Sequence, residues 1–199
     1  MRVLALGDST SVGVGSADAR GYPAYVVEEL AAAGFSLELE LLARSGATTR
    51  DVVRDQLPRL PLAAPALTML GIGTNDLWRL VPLAEVATNL ETIAARLAPP
   101  TLVCNVIDLS LAPVRHLIEH FLHVPLPAFH RRIEDLNAIL AATCAKHGFV
   151  LVDLFAFGHR ELPTHPEYFS ADGFHPSAAG YRAWGKLVAA AAAEALRRA

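Results

Sequence analysis

The chain has 199 residues, a formal net charge of −3 and 53% hydrophobic residues. This length and composition fit one domain, residues 1–199, with enough apolar side chains to cover both faces of a sheet. The slightly negative charge and the absence of a basic run argue against a nucleic-acid partner or an anionic membrane surface. The longest apolar stretch, near residues 187–196, is interrupted by Glu194 and is too short to span a bilayer. We therefore expect a single domain without a transmembrane segment.

The N-terminus enters its first apolar run almost at once. No basic region followed by a long apolar stretch and a small-residue cleavage site precedes this run, so we expect no secretory signal and a cytoplasmic location. The two cysteines, Cys104 and Cys144, have neither a neighbouring cysteine nor a metal-ligand pattern. Both are therefore predicted to be buried free thiols.

Apolar runs and helix-period patterns alternate along the whole chain. The runs predict five strands, over residues 3–6, 37–41, 66–72, 101–107 and 149–154. The helical patterns lie between and after them, over residues 23–33, 49–57, 83–97, 133–145 and 177–198. Thr48 and Asp51 give the second of these helices an N-cap signal, and a polar loop is expected over 159–171. The alternation predicts an α/β fold, in which helices cover both faces of a parallel sheet.

Residues 109–129 form the segment that periodicity describes least well. Its apolar residues recur at helical spacing and either pack on the sheet or form a lid-like insertion over an acyl pocket. Three histidines, His116, His120 and His123, fall near another face of the same segment. Their spacing is compatible with metal binding, but no suitably spaced carboxylate accompanies them, which favours a solvated polar face.

The first apolar run ends in Gly7-Asp8-Ser9, and far downstream Asp172 and His175 precede the last helix. Side chains that follow parallel strands meet at one edge of the sheet, where ligands bind. A serine nucleophile needs an imidazole to take its proton and a carboxylate to orient that imidazole. Ser9 is therefore the candidate nucleophile, with His175 as the base and Asp172 as its carboxylate. The alternative for Ser9 is a turn or helix-capping role.

Two further polar loops at this edge contain candidate oxyanion donors. Gly46 precedes a predicted helix, whose entrance favours negative charge, and Asn75 follows the central strand with an amide that can donate a hydrogen bond. Both residue types are also common in turns. Asp108 follows the fourth predicted strand and is a rival for the role of Asp172. Ser11 is a rival nucleophile, although its place further along the loop favours a turn or cap.

Four separated sequence blocks carry a resemblance to a known family. They are Gly7-Asp8-Ser9, Gly46, Gly73-Thr74-Asn75-Asp76 and Asp172-Gly173-Phe174-His175-Pro176. With these blocks the chain resembles the SGNH hydrolases, also called GDSL-type esterases and lipases, over nearly its whole length. Thr10 stands where that family usually has a leucine. The resemblance implies a three-layer α/β/α fold whose five-stranded parallel sheet has the flavodoxin-like order, with the second strand at an edge.

The same resemblance implies a serine esterase that acts on small-molecule carboxylic esters with short to medium acyl or aryl groups. It implies a catalytic triad of Ser9, Asp172 and His175. It also implies an oxyanion hole formed by the N–H groups of Ser9 and Gly46 and by the side chain of Asn75. No cofactor and no metal are expected. The natural substrate and the oligomeric state are not predicted.

Other functions are compatible with parts of this pattern. A carbohydrate O-deacetylase or a thioesterase would use the same site with the same chemistry. A non-catalytic flavodoxin-like module would instead bind phosphate or a flavin on the hydroxyl-rich loop 9–13. Such a module would leave Asp172 and His175 without a role.

Overall fold

A five-stranded parallel sheet forms the centre of the protein, which a computed structural model describes over residues 1–198. The strands are β1 (Arg2–Gly7), β2 (Glu38–Leu41), β3 (Leu67–Gly71), β4 (Thr101–Cys104) and β5 (Val150–Val152). They are ordered β2-β1-β3-β4-β5, and every neighbouring pair is parallel. This is the flavodoxin-like order with β2 at an edge, so the predicted fold class is confirmed.

Helices connect successive strands and cover both faces of the sheet. They are α1 (Ser9–Val12), α2 (Tyr22–Ala32), α3 (Thr49–Asp51), α4 (Thr74–Trp78), α5 (Leu83–Ala94), α6 (Arg115–Leu122), α7 (Leu126–His147), α8 (Leu154–Glu161) and α9 (Ala178–Arg198). Successive side chains of a strand point to opposite faces, which divides the core in two. Val3 and Ala5 of β1 belong to the core beneath α2 and α9, whereas Leu4 and Leu6 belong to the core beneath α5 and α7.

The predicted helix over 49–57 begins as expected but changes its winding. Thr48 and Asp51 form a capping box, in which the Thr48 side chain accepts from the backbone of Asp51 and the Asp51 side chain accepts from the backbone of Thr48. After α3, residues Val52–Gln56 form a π-helix in which the N–H of Leu57 bonds to the carbonyl of Val52. A 3₁₀ turn, Leu57–Arg59, follows. The widened turn matters for the site, because Gln56 lies at its end.

Strand β4 is shorter than the predicted run 101–107. The backbone N–H and carbonyl of Val106 both bond to the side-chain amide of Asn137 on α7, each at 2.8 Å. Asn105 uses its own side chain to bind Asp153 and the backbone N–H of Phe155, each at 2.9 Å. The Asn105 N–H still bonds to the carbonyl of Val152 in β5 at 3.1 Å, and the strand pairing ends at Val106, where the Asn137 side chain takes the place of a neighbouring strand.

The predicted loop over 159–171 is wrong at its start. Helix α8 runs from Leu154 to Glu161, and Asp153 caps it by accepting a hydrogen bond from the N–H of Ala156 at 3.0 Å. A 3₁₀ turn, Pro166–Tyr168, follows. The apolar run places Asp153 near the end of a strand, whereas its side chain is the N-cap that starts a helix.

The segment 109–129 is divided into a 3₁₀ turn (Leu109–Leu111), helix α6 and the beginning of α7. Ile118 of α6 is fully buried in the core beneath α5 and α7, whereas Phe121 is 65% exposed. The apolar face of α6 is thus partly core and partly surface.

Cys104 and Cys144 are buried and free, as predicted. None of the helices within residues 1–198 combines the length and apolar character needed to cross a bilayer.

Candidate active site

The end of β1 turns directly into α1, and this turn fixes Ser9 at the edge of the sheet. Gly7 has a φ of 136°, and a Cβ there would lie 2.1 Å from the carbonyl oxygen of Gly71, so only glycine fits. Asp8 caps α1, because its Oδ1 accepts from the backbone N–H and the hydroxyl of Thr10 at 3.0 and 2.8 Å. Ser9 is therefore held from both sides of the turn.

Gln56 is a second anchor of this strand end, and no sequence motif points to it. Its Oε1 accepts from the N–H of Gly7 at 2.9 Å, and its Nε2 donates to the carbonyl of Gly7 at 2.8 Å. The side chain is 1% exposed. Gln56 thus satisfies both backbone groups of the residue two positions before Ser9, from the end of the π-helix.

His175 links Ser9 to Asp172. Its Nε2 lies 3.0 Å from Ser9 Oγ, and its Nδ1 lies 2.7 Å from Asp172 Oδ2. The other carboxylate oxygen of Asp172 accepts from the N–H groups of Phe174 and His175 and from the hydroxyl of Ser170, each at 2.8 Å. The loop 170–175 therefore orients the Asp172 carboxylate toward the imidazole of His175.

These hydrogen bonds determine the charge of Asp172. Burial by itself raises the pKa of this carboxyl, but the hydrogen bonds from His175, Phe174 and Ser170 outweigh burial and hold the pKa below its ordinary value. The ionised carboxylate accepts the proton on Nδ1 of His175. The tautomer assigned by this contact leaves Nε2 free to accept the hydroxyl proton of Ser9.

The loop after α1 packs closely against His175. Gly15 has a φ of 88°, and a Cβ there would lie 2.7 Å from the Cβ of His175. Tyr181 of α9 donates its hydroxyl to the carbonyl of Val14 at 2.8 Å. The two chain segments that carry Ser9 and His175 are thereby held together next to the reacting groups.

Gly46 lies in the loop before α3 and Asn75 in the first turn of α4, and hydrogen bonds join these two segments. Asn75 Nδ2 donates to the carbonyl of Ala47 at 2.9 Å, which leaves the second N–H of the amide for another acceptor. The buried carboxylate of Asp76 accepts from the N–H and the hydroxyl of Thr49 at 3.0 and 2.7 Å. Asp76 therefore links the beginnings of α3 and α4. Burial raises the pKa of its carboxyl.

A cavity, here called the Ser9 cavity, lies beside the Ser9 side chain. Ser9, His175, Asp8 and Asn105 contribute polar groups to its wall. The rest of the wall is largely apolar and includes Ile72, Val106, Ile107, Leu109, Leu154, Phe174, Pro176 and Trp184. The arrangement places a candidate nucleophile and a candidate base beside a partly apolar space, as is typical of a small-molecule site.

Comparison with known proteins identifies the family. A family model for the GDSL-like lipase/acylhydrolases matches residues 5–183. The chain belongs to this family. It is accordingly a hydrolase of ester bonds. No curated protein sequence matches the chain.

Solved structures share the fold of this GDSL-like hydrolase over nearly its full length. A lipase/acylhydrolase from Enterococcus faecalis is 23% identical with a TM-score of 0.72, over 95% of this chain and 94% of its own. TesA is 25% identical with a TM-score of 0.73, over 94% and 96%. A family 3 carbohydrate esterase from Clostridium thermocellum is 18% identical with a TM-score of 0.75, over 100% and 98%.

In this GDSL-like hydrolase, Ser11 and Asp108, the rival candidates for the nucleophile and for the triad carboxylate, contact other groups. Ser11 is buried, and its hydroxyl donates to the carbonyl of Leu6 at 3.4 Å. Asp108 Oδ2 lies 2.9 Å from Nδ1 of His130 and 3.1 Å from Nε2 of His159, which leaves Asp172 as the partner of His175.

Neither the cysteines nor the three histidines add a reactive centre. Cys104 lines the Ser9 cavity, but burial raises the pKa of its thiol to about 12, so the thiol stays protonated and unreactive. His116 Nδ1 lies 3.0 Å from the carbonyl of Pro113, and His120 and His123 are exposed. Within the described part of the chain, no cluster of three or more histidine, cysteine or acidic side chains could hold a metal ion.

Asp8 is an unusual neighbour for Ser9. It is 1% exposed, and burial raises its pKa to about 6. The hydrogen bonds from Thr10 and the charge of His175 act in the opposite direction but do not cancel the effect of burial. The cavity therefore contains a carboxyl whose charge changes in the mildly acidic range.

Proposed function

We propose that this hydrolase is a serine esterase that cleaves carboxylic esters with short to medium acyl or aryl groups through an acyl-enzyme on Ser9. The observation that carries the proposal is the hydrogen-bonded series from Ser9 Oγ through His175 to Asp172, which lies at the wall of an accessible cavity. This arrangement is the one that makes a serine hydroxyl nucleophilic.

In the first half of the reaction, Ser9 Oγ attacks the ester carbonyl carbon while Nε2 of His175 takes the hydroxyl proton. Asp172 stabilises the imidazolium that forms. The N–H groups of Ser9 and Gly46 and the free N–H of the Asn75 amide donate to the developing oxyanion. The imidazolium then protonates the leaving alcohol as its C–O bond breaks, which leaves the acyl group on Ser9.

In the second half, His175 takes a proton from water as the water oxygen attacks the acyl carbon. Collapse of this intermediate breaks the bond to Ser9 Oγ, and the imidazolium returns the proton to it. The carboxylic acid then leaves the cavity. The cycle uses only protein groups and water.

A carbohydrate O-deacetylase or a thioesterase would follow the same steps. The apolar part of the cavity wall favours a hydrocarbon group over a sugar, and it accepts the acyl group of an oxygen ester and of a thioester equally well. A phosphate-binding module is disfavoured, because the buried carboxyl of Asp8 shares the cavity and repels an anion when ionised. The lid role of residues 109–129 stays a prediction; Leu109 lines the cavity, and Phe121 is exposed.

The test is hydrolysis of chromogenic esters, from acetate to decanoate, by the wild type, Ser9→Ala and Ser11→Ala. Ser11→Ala is the matched control, since it removes a hydroxyl from the same turn. We expect Ser9→Ala to reduce kcat/KM on the order of 10⁴-fold or more and Ser11→Ala to retain most activity. A fluorophosphonate should also label the wild type on Ser9, with loss of fluoride, and should not label Ser9→Ala.

A Ser9→Ala enzyme with near wild-type turnover would contradict the assignment of the nucleophile. Acetylated xylo-oligosaccharides and acyl thioesters belong in the same assay. If either were cleaved in preference to every simple ester, with the same dependence on Ser9, the substrate class would change and the mechanism would stand.

A further inference from the structure

A second cavity lies beside the Ser9 cavity and is here called the apolar cavity. It is partly open to solvent and is lined by α8, by the 3₁₀ turn Pro166–Tyr168 and by the beginning of α9. Among its lining residues, only Tyr168 has a polar side-chain atom apart from the indole of Trp184, and none is charged. This composition suits a hydrocarbon group and disfavours a sugar or a phosphate.

The two cavities share part of their walls. Ile107, Leu154, Pro176 and Trp184 line both of them. Pro176 directly follows His175, so the shared wall begins at the proposed catalytic base. The two cavities are therefore adjacent, and apolar or aromatic side chains form the wall between them.

The backbone geometry of α8 does not require a glycine at position 158. This residue is buried inside α8, lines the cavity and has no positive φ. A Cβ there would lie 3.4 Å from Cδ1 of Leu162 and 3.7 Å from Cβ of Ile107, which are ordinary contacts. Glycine is a poor helix former, and most other residues would stabilise the helix better. The missing side chain leaves open the space that a larger residue would fill.

We propose that the apolar cavity binds the hydrocarbon arm of the ester and sets the chain-length preference of the enzyme. The proposal rests on the esterase function proposed above and places the specificity site at α8 and α9 rather than at residues 109–129. The arm is an unbranched alkyl chain or an aryl group, carried on the acyl or on the alcohol side of the ester. Each methylene buried there should increase kcat/KM roughly fourfold until the cavity is full.

The experiment compares two ester series on the wild type, Gly158→Leu, Gly158→Ala and Ala142→Leu. One series varies the acyl chain of p-nitrophenyl esters, and the other varies the alkyl chain of acetate esters. Gly158→Leu places a branched side chain in the apolar cavity, and Gly158→Ala is a smaller change that the helix accepts. Ala142→Leu adds the same side chain at an exposed position of α7 and is the matched control.

We expect the wild type to favour longer chains in one of the two series, which identifies the side of the ester that enters the cavity. Gly158→Leu should lower the preference for octanoyl or octyl over acetyl or ethyl esters by at least about tenfold. Gly158→Ala should have a smaller effect in the same direction, and Ala142→Leu none. Chain-length profiles that do not differ between Gly158→Leu and Ala142→Leu would overturn the proposal, as would a wild type indifferent to chain length in both series.

A binding measurement separates this proposal from the proposed function. Calorimetric titration of the wild type with octanoate and with 1-octanol reports on the cavity without any turnover. If the wild type cleaved no ester but bound one of these probes, and Gly158→Leu weakened the binding at least about tenfold, the esterase function would fail and the cavity assignment would stand. If neither probe bound, the cavity assignment itself would be refuted.

Discussion

Replacing Asp8 with asparagine should stabilise the protein in a pH-dependent way. Asp8 is almost completely buried, and within residues 1–198 its hydrogen-bond donors are the N–H and hydroxyl of Thr10, both uncharged. Burial raises its pKa from the ordinary value of 3.8 to about 6. A shift of about 2 pH units corresponds to about 3 kcal/mol of unfavourable free energy for the ionised form in the folded state.

The direction follows from proton binding. Because the pKa of Asp8 is raised in the folded protein, the folded state binds the proton more tightly than the unfolded state between about pH 4 and pH 6. The contribution of this group to stability is therefore fully present below about pH 4 and is lost as the pH rises through about 6. Asparagine has nearly the same shape, keeps an oxygen that accepts from Thr10 and carries no charge at any pH.

The assay is urea unfolding at a series of pH values between about 4 and 8. The difference in the free energy of unfolding between Asp8→Asn and wild type should increase by about 2 to 3 kcal/mol from the acidic to the alkaline end. Asp135→Asn, which removes an exposed carboxylate from α7, is the control and should show a nearly constant difference. A constant difference for Asp8→Asn as well would refute the reasoning.

Two further predictions concern groups that, in the proposed mechanism, assist Ser9. Asn75→Ala should lower kcat on the order of 10²- to 10³-fold with little change in KM, because one donor to the oxyanion is lost, and steady-state kinetics on acetate esters would measure this. Unchanged kcat would remove Asn75 from the oxyanion hole. Asp172→Asn should lower kcat on the order of 10⁴-fold, since the amide no longer selects the tautomer of His175 that accepts from Ser9. A loss of less than about tenfold would show that another group orients the imidazole.

The central strands β1, β3 and β4 were predictable because they are buried on both faces. A short, continuous apolar run such as 66–72, set between amphipathic helices, is typical of a strand that helices cover from both sides. The contact between Asp172 and His175 is local and follows from their spacing in one loop. The contact between Ser9 and His175 spans 166 positions and followed only from the family resemblance and from the rule that strand ends meet at one edge.

Other parts of the site had no local signal. Gln56 is one polar residue in a predicted amphipathic helix, and its pairing with Gly7 depends on the π-helix that rotates it toward β1. Asp108 is engaged by His130 and His159, which come from two other helices. Such contacts depend on how helices pack across the sheet, and the pattern of one element does not determine them.

The apolar cavity is the clearest case of this limit. Its walls come from α8, α9 and the loop after β4, and the sequence pattern predicts a loop over the end of α8. The helical spacing of the apolar residues in 109–129 instead points to that segment as the wall of an acyl pocket, although Ile118 belongs to the core. Periodicity identifies side chains that are buried on folding. It does not distinguish buried side chains that contact one another from those that line a cavity.

The pKa values of Asp8 and Asp172, two carboxyls near Ser9, are shifted in opposite directions. Asp172 accepts four hydrogen bonds, which lower its pKa despite partial burial, so it remains charged wherever the protein is folded at neutral pH. Asp8 accepts too few hydrogen bonds to offset the effect of burial on its pKa. Its negative charge nevertheless attracts the positive charge of an imidazolium at His175. The ionised form of Asp8 thus destabilises the fold and, in the proposed mechanism, would favour the positive charge that His175 acquires when it takes the proton of Ser9.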